Sequence, residues 1–568
     1  MSSRSQHRSA LTTPRRARRL RVGASALVAA SALGLAGCTA PASSNTTAAP
    51  AGGNSIVIGA EQEPDCTDWI ATCAGSIWGS YMMEGTTIPT AFDTRQDGED
   101  WVFTASNLLA GEPTVTVEGG KQTMTYTIAE DAVWSDGEPI TSQDFKYTAL
   151  EIRDGDDIFD KTGYTYIEDV ATPDPKTAVV TLSSPYGAWK QLFGGSYGIF
   201  PSHLLEGQDR AAIMKDGYDF SGGPWIIEAW DKGSSVTLVP NENYWGEKPK
   251  LDKVTFQFIT DTAAAFQALK SGQVQALYPT PQLDALTQIE EGIPNTELAV
   301  SADTGNLEAV WINNSVAPFD SLAVRQALAY SIDREAIVER LYGPLGVTAP
   351  AQSFLSPMVS AFAGDDFKKY SLDLEHVDEL MTGDGWEKNG DGIWEKNGTT
   401  ASFDIASMAG NKRRELTEQV LQSQLKDAGF ELTIANTSVA ELFGTVAPTG
   451  DYDLGLWTLV DQYPEPSLSA SFSSGAIPTE GNGFSGINFM RATAPGLDEL
   501  LGTVDTAVES TVRLDASLEA DTLIADNVLS IPVAAVPNIL MTNTSVGGPI
   551  SLNPAEGPFW NLEEWTRG

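Results

Sequence analysis

The chain has 568 residues, 42% of them hydrophobic, and a single core stops growing near roughly 250–300 residues, so two or more lobes are expected. It carries 35 Lys and Arg against 76 Asp and Glu; without the seven arginines of its first 21 residues the formal charge of −41 becomes −48. Such acidity disfavours nucleic acid and anionic lipid as partners, and three histidines (His7, His203, His376) leave little material for histidine metal sites or Ser/His and Cys/His catalysis.

Residues 1–37 have the order of an export signal: an arginine-rich start, an apolar run from Val22 to Ala36, then small residues. The run is shorter than the ~20 residues that span a bilayer. It closes on Leu35-Ala36-Gly37-Cys38, which resembles the lipobox of bacterial lipoproteins; the resemblance implies cleavage before Cys38 and a lipid on its thiol. Residues 38–54 then form an uncharged Ala/Pro/Ser/Thr/Gly tether.

The body opens with a strand at Ile56–Gly59. Cys66 and Cys73, the other cysteines, are expected to form a local disulfide in an exported chain. Asp136-Gly137 marks a turn, and Thr141-x-x-Asp144 starts a capped helix with Phe145, Thr148, Ala149 and Ile152 at helical spacing. Strands are expected at Val179–Leu182, Val236–Pro240 and Leu251–Ile259, and a helix at Thr262–Ser271 is stopped by Gly272. Helices follow around Val324–Ile332 and, capped by Asp333, around Ile337–Leu341. The acid- and glycine-rich stretch at 383–398 lacks the alternating oxygen ligands of an EF-hand and is read as a hairpin. A helix at Leu416–Ala428, a strand at Phe430–Ile434, one helix near Leu497–Leu523 and a strand at Ile531–Val536 complete the order.

The most informative stretch is Gly450–Ser467. Tyr452–Leu459 alternates bulky and small residues as a buried strand does, and Asp461 to Pro466 adds a carboxylate, Tyr463 and two prolines that stop it. In open α/β sheets ligands gather at such strand ends. A carboxylate among aromatic rings needs a positive partner, and between Arg414 and Arg491 the chain offers only Lys426. Asp461 therefore either caps its loop, pairs with a distant base, or meets a cationic ligand.

Several blocks together resemble the bacterial extracytoplasmic solute-binding proteins of family 5, the peptide-binding lipoproteins of ABC transporters. They are VWSDGEPITSQDF at 133–145, G-P-W-x5-D-x-G at 223–233, V-x-L-x-x-N-x-x-Y-W-G at 236–246, PFDSLAVRQALAYSIDREAI at 318–337 and D-Y-D-L-x-L-W at 451–457. The resemblance implies an α/β, two-lobed periplasmic-binding-protein-like fold of the large three-domain type. Domain I would comprise 55–80, 221–305 and 531–568, with domain II inserted at 81–220 and domain III at 306–530. It also implies that Asp461 takes a peptide's α-ammonium, that Trp457 and Tyr463 form cleft walls, and that Ala74, Gly75 and Ser76 border the ligand from the first lobe. The implied partners are a small peptide and the permease of an ABC importer, with a monomer on the outer face of the membrane, held by its lipid alone.

No cofactor, metal or catalytic role is expected. The same scaffold serves nickel chelates, haem, sugars and opines, so these stay open, as does an envelope regulatory role. A secreted glycoside hydrolase would need two carboxylates about 5–5.5 Å apart for a retaining site, and no strand-end pair presents itself.

Overall fold

The computed structural model describes residues 53–568 apart from 75, 99, 196, 461 and 462. The expected export signal, Cys38 and nearly all of the expected tether therefore lie outside the described residues, as do Gly75 and Asp461. The architecture is mixed α/β with several sheets, the multi-domain fold expected of the resemblance.

Three sheets organise it. The first has seven strands in the order Thr296–Ser301, Asn538–Asn543, Ala276–Leu277, Ser55–Ala60, Lys253–Phe258, Ser235–Pro240 and Trp225–Asp231. Its strands come from the beginning, middle and end of the chain. Ser55–Ala60 lies at its centre, parallel to both neighbours, with Ile56, Ile58 and Ala60 buried. A four-stranded antiparallel sheet uses residues 114–182.

The third sheet has the order Glu431–Ile434, Ser402–Ala406, Leu454–Val460, Asn306–Ile312 and Ile531–Ala535. At its centre Trp311 stands opposite Gly455. A Cβ on Gly455 would come within 1.9 Å of the Trp457 ring, so the small residue in the bulky–small alternation makes room for the large one two places on. Trp457 stacks on Trp311 at 5.9 Å, and Trp311 Nε1 donates to the Trp457 carbonyl at 2.8 Å. The first and third sheets are joined by two short crossings, 302–305 and 536–537, and these lie side by side: the Val536 amide donates to the Asn306 carbonyl at 2.8 Å.

Local signals account for many helix ends. Asp144 accepts from the Thr141 amide at 2.7 Å at the start of Ser142–Asp154, and also from the Ser202 amide at 2.7 Å, so one cap fixes a loop 58 residues away. Asp261 caps Thr262–Ser271, which Gly272 ends with φ +73°, a conformation glycine adopts without strain. Asp333 caps Arg334–Tyr342, and the stretch near 390 is a hairpin pairing Glu387–Lys388 with Trp394–Lys396.

Two expectations change. The helix expected from Leu416 begins at Lys412, because the Asn411 side chain accepts from the Arg414 amide at 3.1 Å. The single helix near Leu497–Leu523 is two, Leu497–Thr506 and Ser510–Asp526. The carbonyls that would continue the first are occupied: Val504 accepts from Arg513 Nε at 2.9 Å and Asp505 from the Gly187 amide at 2.6 Å. A helix end satisfied from elsewhere has no need to continue.

Candidate functional site

A cavity of about 740 Å³, within the range of pockets that enclose small ligands, lies where the two crossings meet. One wall comes from the helical segment Ile77–Thr87, the strand Phe92–Asp97 and the segment 554–563. The other includes Arg413, Thr458, Val460 and Tyr463.

The first wall is rich in carboxylates. In Ile77–Thr87 the turn Ser80–Glu84 is π-helical, a local widening common at functional sites. Glu84 accepts from Ser80 Oγ at 2.8 Å, and burial pushes its carboxyl up to about 8 against that bond. Arg95 pairs with Asp93 at 3.0 Å and Glu556 at 2.9 Å and lies over the Trp560 ring at 4.6 Å. The Glu556 carboxylate also accepts from the Thr94 amide. One guanidinium does not balance this group: burial pushes Glu556 and Glu563 up to about 7 and raises Asp93, with Arg95 only partly offsetting it.

The second wall is built on arginines. Arg413 and Arg414 occupy the first turn of Lys412–Asp427, where the helix dipole opposes positive charge, so they need a partner. Glu308 supplies it, 2.8 Å from Arg413 and 2.6 Å from Arg414, and Thr458 Oγ1 donates to it at 2.7 Å. Burial alone would raise the Glu308 carboxyl, but the two guanidiniums more than offset it and hold it below its ordinary value. Two buried cations share one buried anion. Arg413 is 5% exposed, lines the cavity, and its buried Nε–H has no hydrogen-bond partner among the described residues.

The anticipated site residues divide. Tyr463 lines the cavity, as does Val460, which is 57% exposed; Asp461 between them is outside the described residues. Trp457 is not a cleft wall. It is 6% exposed and packs in the core on Trp311, because strand side chains alternate and Thr458 and Val460 take the cavity face. Ser76 is buried just before the helical segment and Ala74 packs against the adjoining core. The border they were expected to form is made by the next turns, Ile77 to Glu84; Gly75 is outside the described residues. Cys66 and Cys73 are disulfide-bonded, with Cα atoms 5.9 Å apart. His203 and His376 pair with Asp136 and Glu379 away from the cavity. Among the described residues no group of three His, Cys, Asp or Glu side chains could hold a metal ion, and no helix is long and apolar enough to cross a membrane.

Glu84 and Arg413 were not anticipated. Arg413 left a trace in the sequence, since consecutive bases at a helix start, in so acidic a chain, call for a distant acid. Glu84 left none beyond its spacing of four from Ser80.

Residues 100–477 match the family model described as the middle part of the bacterial extracellular solute-binding proteins, family 5. A putative ABC transporter peptide-binding protein of Brucella melitensis is 25% identical over 478 residues, 80% of this chain and 86% of the relative. Among solved structures, the oligopeptide-binding protein AppA of Bacillus subtilis, in complex with a nonapeptide, superposes with a TM-score of 0.68 at 22% identity, covering 92% of this chain and all of AppA. NikZ of Campylobacter jejuni, in complex with Ni(L-His), gives a TM-score of 0.70 at 20% identity, covering 90% of this chain and 99% of NikZ.

Proposed function

Because the chain belongs to the bacterial extracellular solute-binding proteins of family 5, we propose that it captures di- and oligopeptides outside the cytoplasm and hands them to an ABC import permease. It acts as a carrier and not as an enzyme. The observation that carries this reading is that Val460 and Tyr463, the described residues flanking Asp461 and Gln462, line the same cavity as Arg413 and the Ile77–Thr87 wall. Asp461 then takes the peptide's α-ammonium, and the positive charge of Arg413, which lines the cavity, draws a carbonyl or carboxylate oxygen. Main-chain hydrogen bonds of strand type hold the peptide between them.

Domain I (55–80, 221–305, 531–568) and the inserted domain II (81–220) form one lobe, and domain III (306–530) closes on the peptide by a hinge at the two crossings. Cys38 carries the lipid that holds a monomeric body at the outer face of the membrane. The relative from Brucella, named for ABC transport of peptides, supports the peptide class.

Mass spectrometry of whatever co-purifies with the full chain tests the ligand class: a ladder of short peptides is expected, and a metal chelate or a single non-peptide solute would overturn it. Anchoring is tested separately. Cys38→Ser should abolish partition into the detergent phase, and unchanged partition would sink the lipoprotein reading.

A further inference from the structure

We propose that Glu84, framed by Trp78, Tyr81 and Tyr278, forms a subsite for a cationic side chain of the ligand, so that this carrier favours peptides containing lysine or arginine. The proposal rests on the peptide reading above and names the class of peptide.

The four residues line one stretch of the cavity. Tyr278 meets both Trp78 and Tyr81 edge to face, each at 5.9 Å. Tyr81 is seated against Gly557, where a Cβ would come within 2.2 Å of its ring; any larger residue there would displace it. Aromatic faces attract a desolvated cation, and an ammonium or guanidinium satisfies a carboxylate that water reaches poorly. Among the described residues Glu84 has no such partner. Its carboxylate has one hydrogen bond, from the Ser80 hydroxyl, and takes part in no ion pair among the described residues. The surrounding charge points the same way: Asp93, Glu247, Glu556 and Glu563 also line the cavity, against Arg95 and the already paired Arg413.

The bland alternative is a carboxyl that stays protonated and merely caps Ser80. The two differ in their proton balance. Burial holds the Glu84 carboxyl up at about 8, so at pH 7 it carries a proton. An arriving ammonium displaces it: the O–H bond breaks, the carboxylate pairs with the cation, and the proton passes to the buffer. The titratable groups around Glu84 are the phenols of Tyr81, Tyr197, Tyr218 and Tyr278, all raised by burial and neutral throughout this range; Glu61, which acts on Tyr278, is itself raised by burial.

Calorimetry on the purified full chain tests this with tetra-alanine, the four tetrapeptides bearing one lysine, and the four bearing norleucine instead. For at least one position lysine should bind about tenfold or more tighter than norleucine at pH 8. At pH 7 the heats in buffers of different ionisation enthalpy should report proton release for that lysine peptide and not for its norleucine partner. Glu84→Gln should bring the lysine preference to within about threefold. Equal binding of lysine and norleucine at every position overturns the subsite while the peptide reading stands. A preference that survives Glu84→Gln, or that appears without proton release, also overturns it. If no tetrapeptide binds, the peptide reading itself fails and the subsite with it.

Discussion

The two walls of the cavity handle charge in opposite ways. On one side two arginines surround one glutamate, and every acid oxygen of Glu308 is taken. On the facing side Asp93 and Glu556 share the single guanidinium of Arg95, while Glu84 and Glu563 line the cavity with no ion pair among the described residues. The arginine-rich wall pairs its one acid within the protein and leaves a surplus of positive charge; the acid-rich wall leaves acids whose affinity for protons is raised. Perturbed acids in a cavity with too few internal partners point to a partner from outside. A ligand with a basic and an acidic end matches a cavity of this polarity.

The largest effect expected from breaking this contrast is at Glu308. Glu308→Gln leaves two buried guanidiniums without an anion, and removing one partner of a buried pair costs about 3–5 kcal/mol. Denaturant unfolding should show a loss of that size. A change below about 1 kcal/mol would mean that the arginines are solvated and that the triad does not hold the wall.

The acid-rich wall is tied instead by covalent chemistry just upstream, where Cys66–Cys73 precedes Ile77–Thr87. Replacing both cysteines by serine should cost about 2–3 kcal/mol by the chain-entropy argument for so short a loop, and should weaken ligand binding. Intact mass after alkylation without reductant should find neither Cys66 nor Cys73 labelled; labelling of both would refute the bridge.

The smallest effect is in pH. Glu84, Glu556 and Glu563 have folded values of about 8, 7 and 7 against an ordinary 4.5. The folded chain therefore binds more protons than the unfolded one between those limits. Their contribution is present below about 4.5 and lost as pH rises toward 8. Glu308 behaves in the opposite sense: held below 4.5, it contributes above that value and its contribution is lost as pH falls. Melting temperature should fall by a few degrees from pH 5.5 to 8, and Glu84→Gln or Glu556→Gln should flatten that limb. A flat profile in the unmodified chain would show that the acid-rich wall is fully hydrated.

Much of the fold was legible locally, because capping residues, stop glycines and strand periodicity act over a few positions. Thr141 with Asp144, Asp261, Asp333 and Gly272 mark their helix ends in the sequence as they do in the structure. The break at 507–509 was not legible, since the groups that terminate that helix are Gly187, over 300 residues away, and Arg513 in the next helix. The site was legible only in part. The strand 454–460 and its loop were found, but which face meets the cavity depends on the pairing of Trp457 with Trp311 across 146 residues. Glu84 and Arg413 acquire their meaning only when the two walls face each other.

The peptide assignment is tested most directly by a double cycle at Asp461. Asp461→Asn keeps the shape and removes the charge, and N-acetylation removes the ammonium of a peptide that binds the unmodified chain. Each change alone should weaken binding by about 2–5 kcal/mol, roughly 30- to several-thousand-fold. Because both delete the same pair, the second should add little once the first is made. Calorimetry on the four combinations measures that coupling. A coupling energy of about 2 kcal/mol or more is the predicted result; additive losses, or a mutant that binds as well as the unmodified chain, would contradict it and return Asp461 to a loop-capping role.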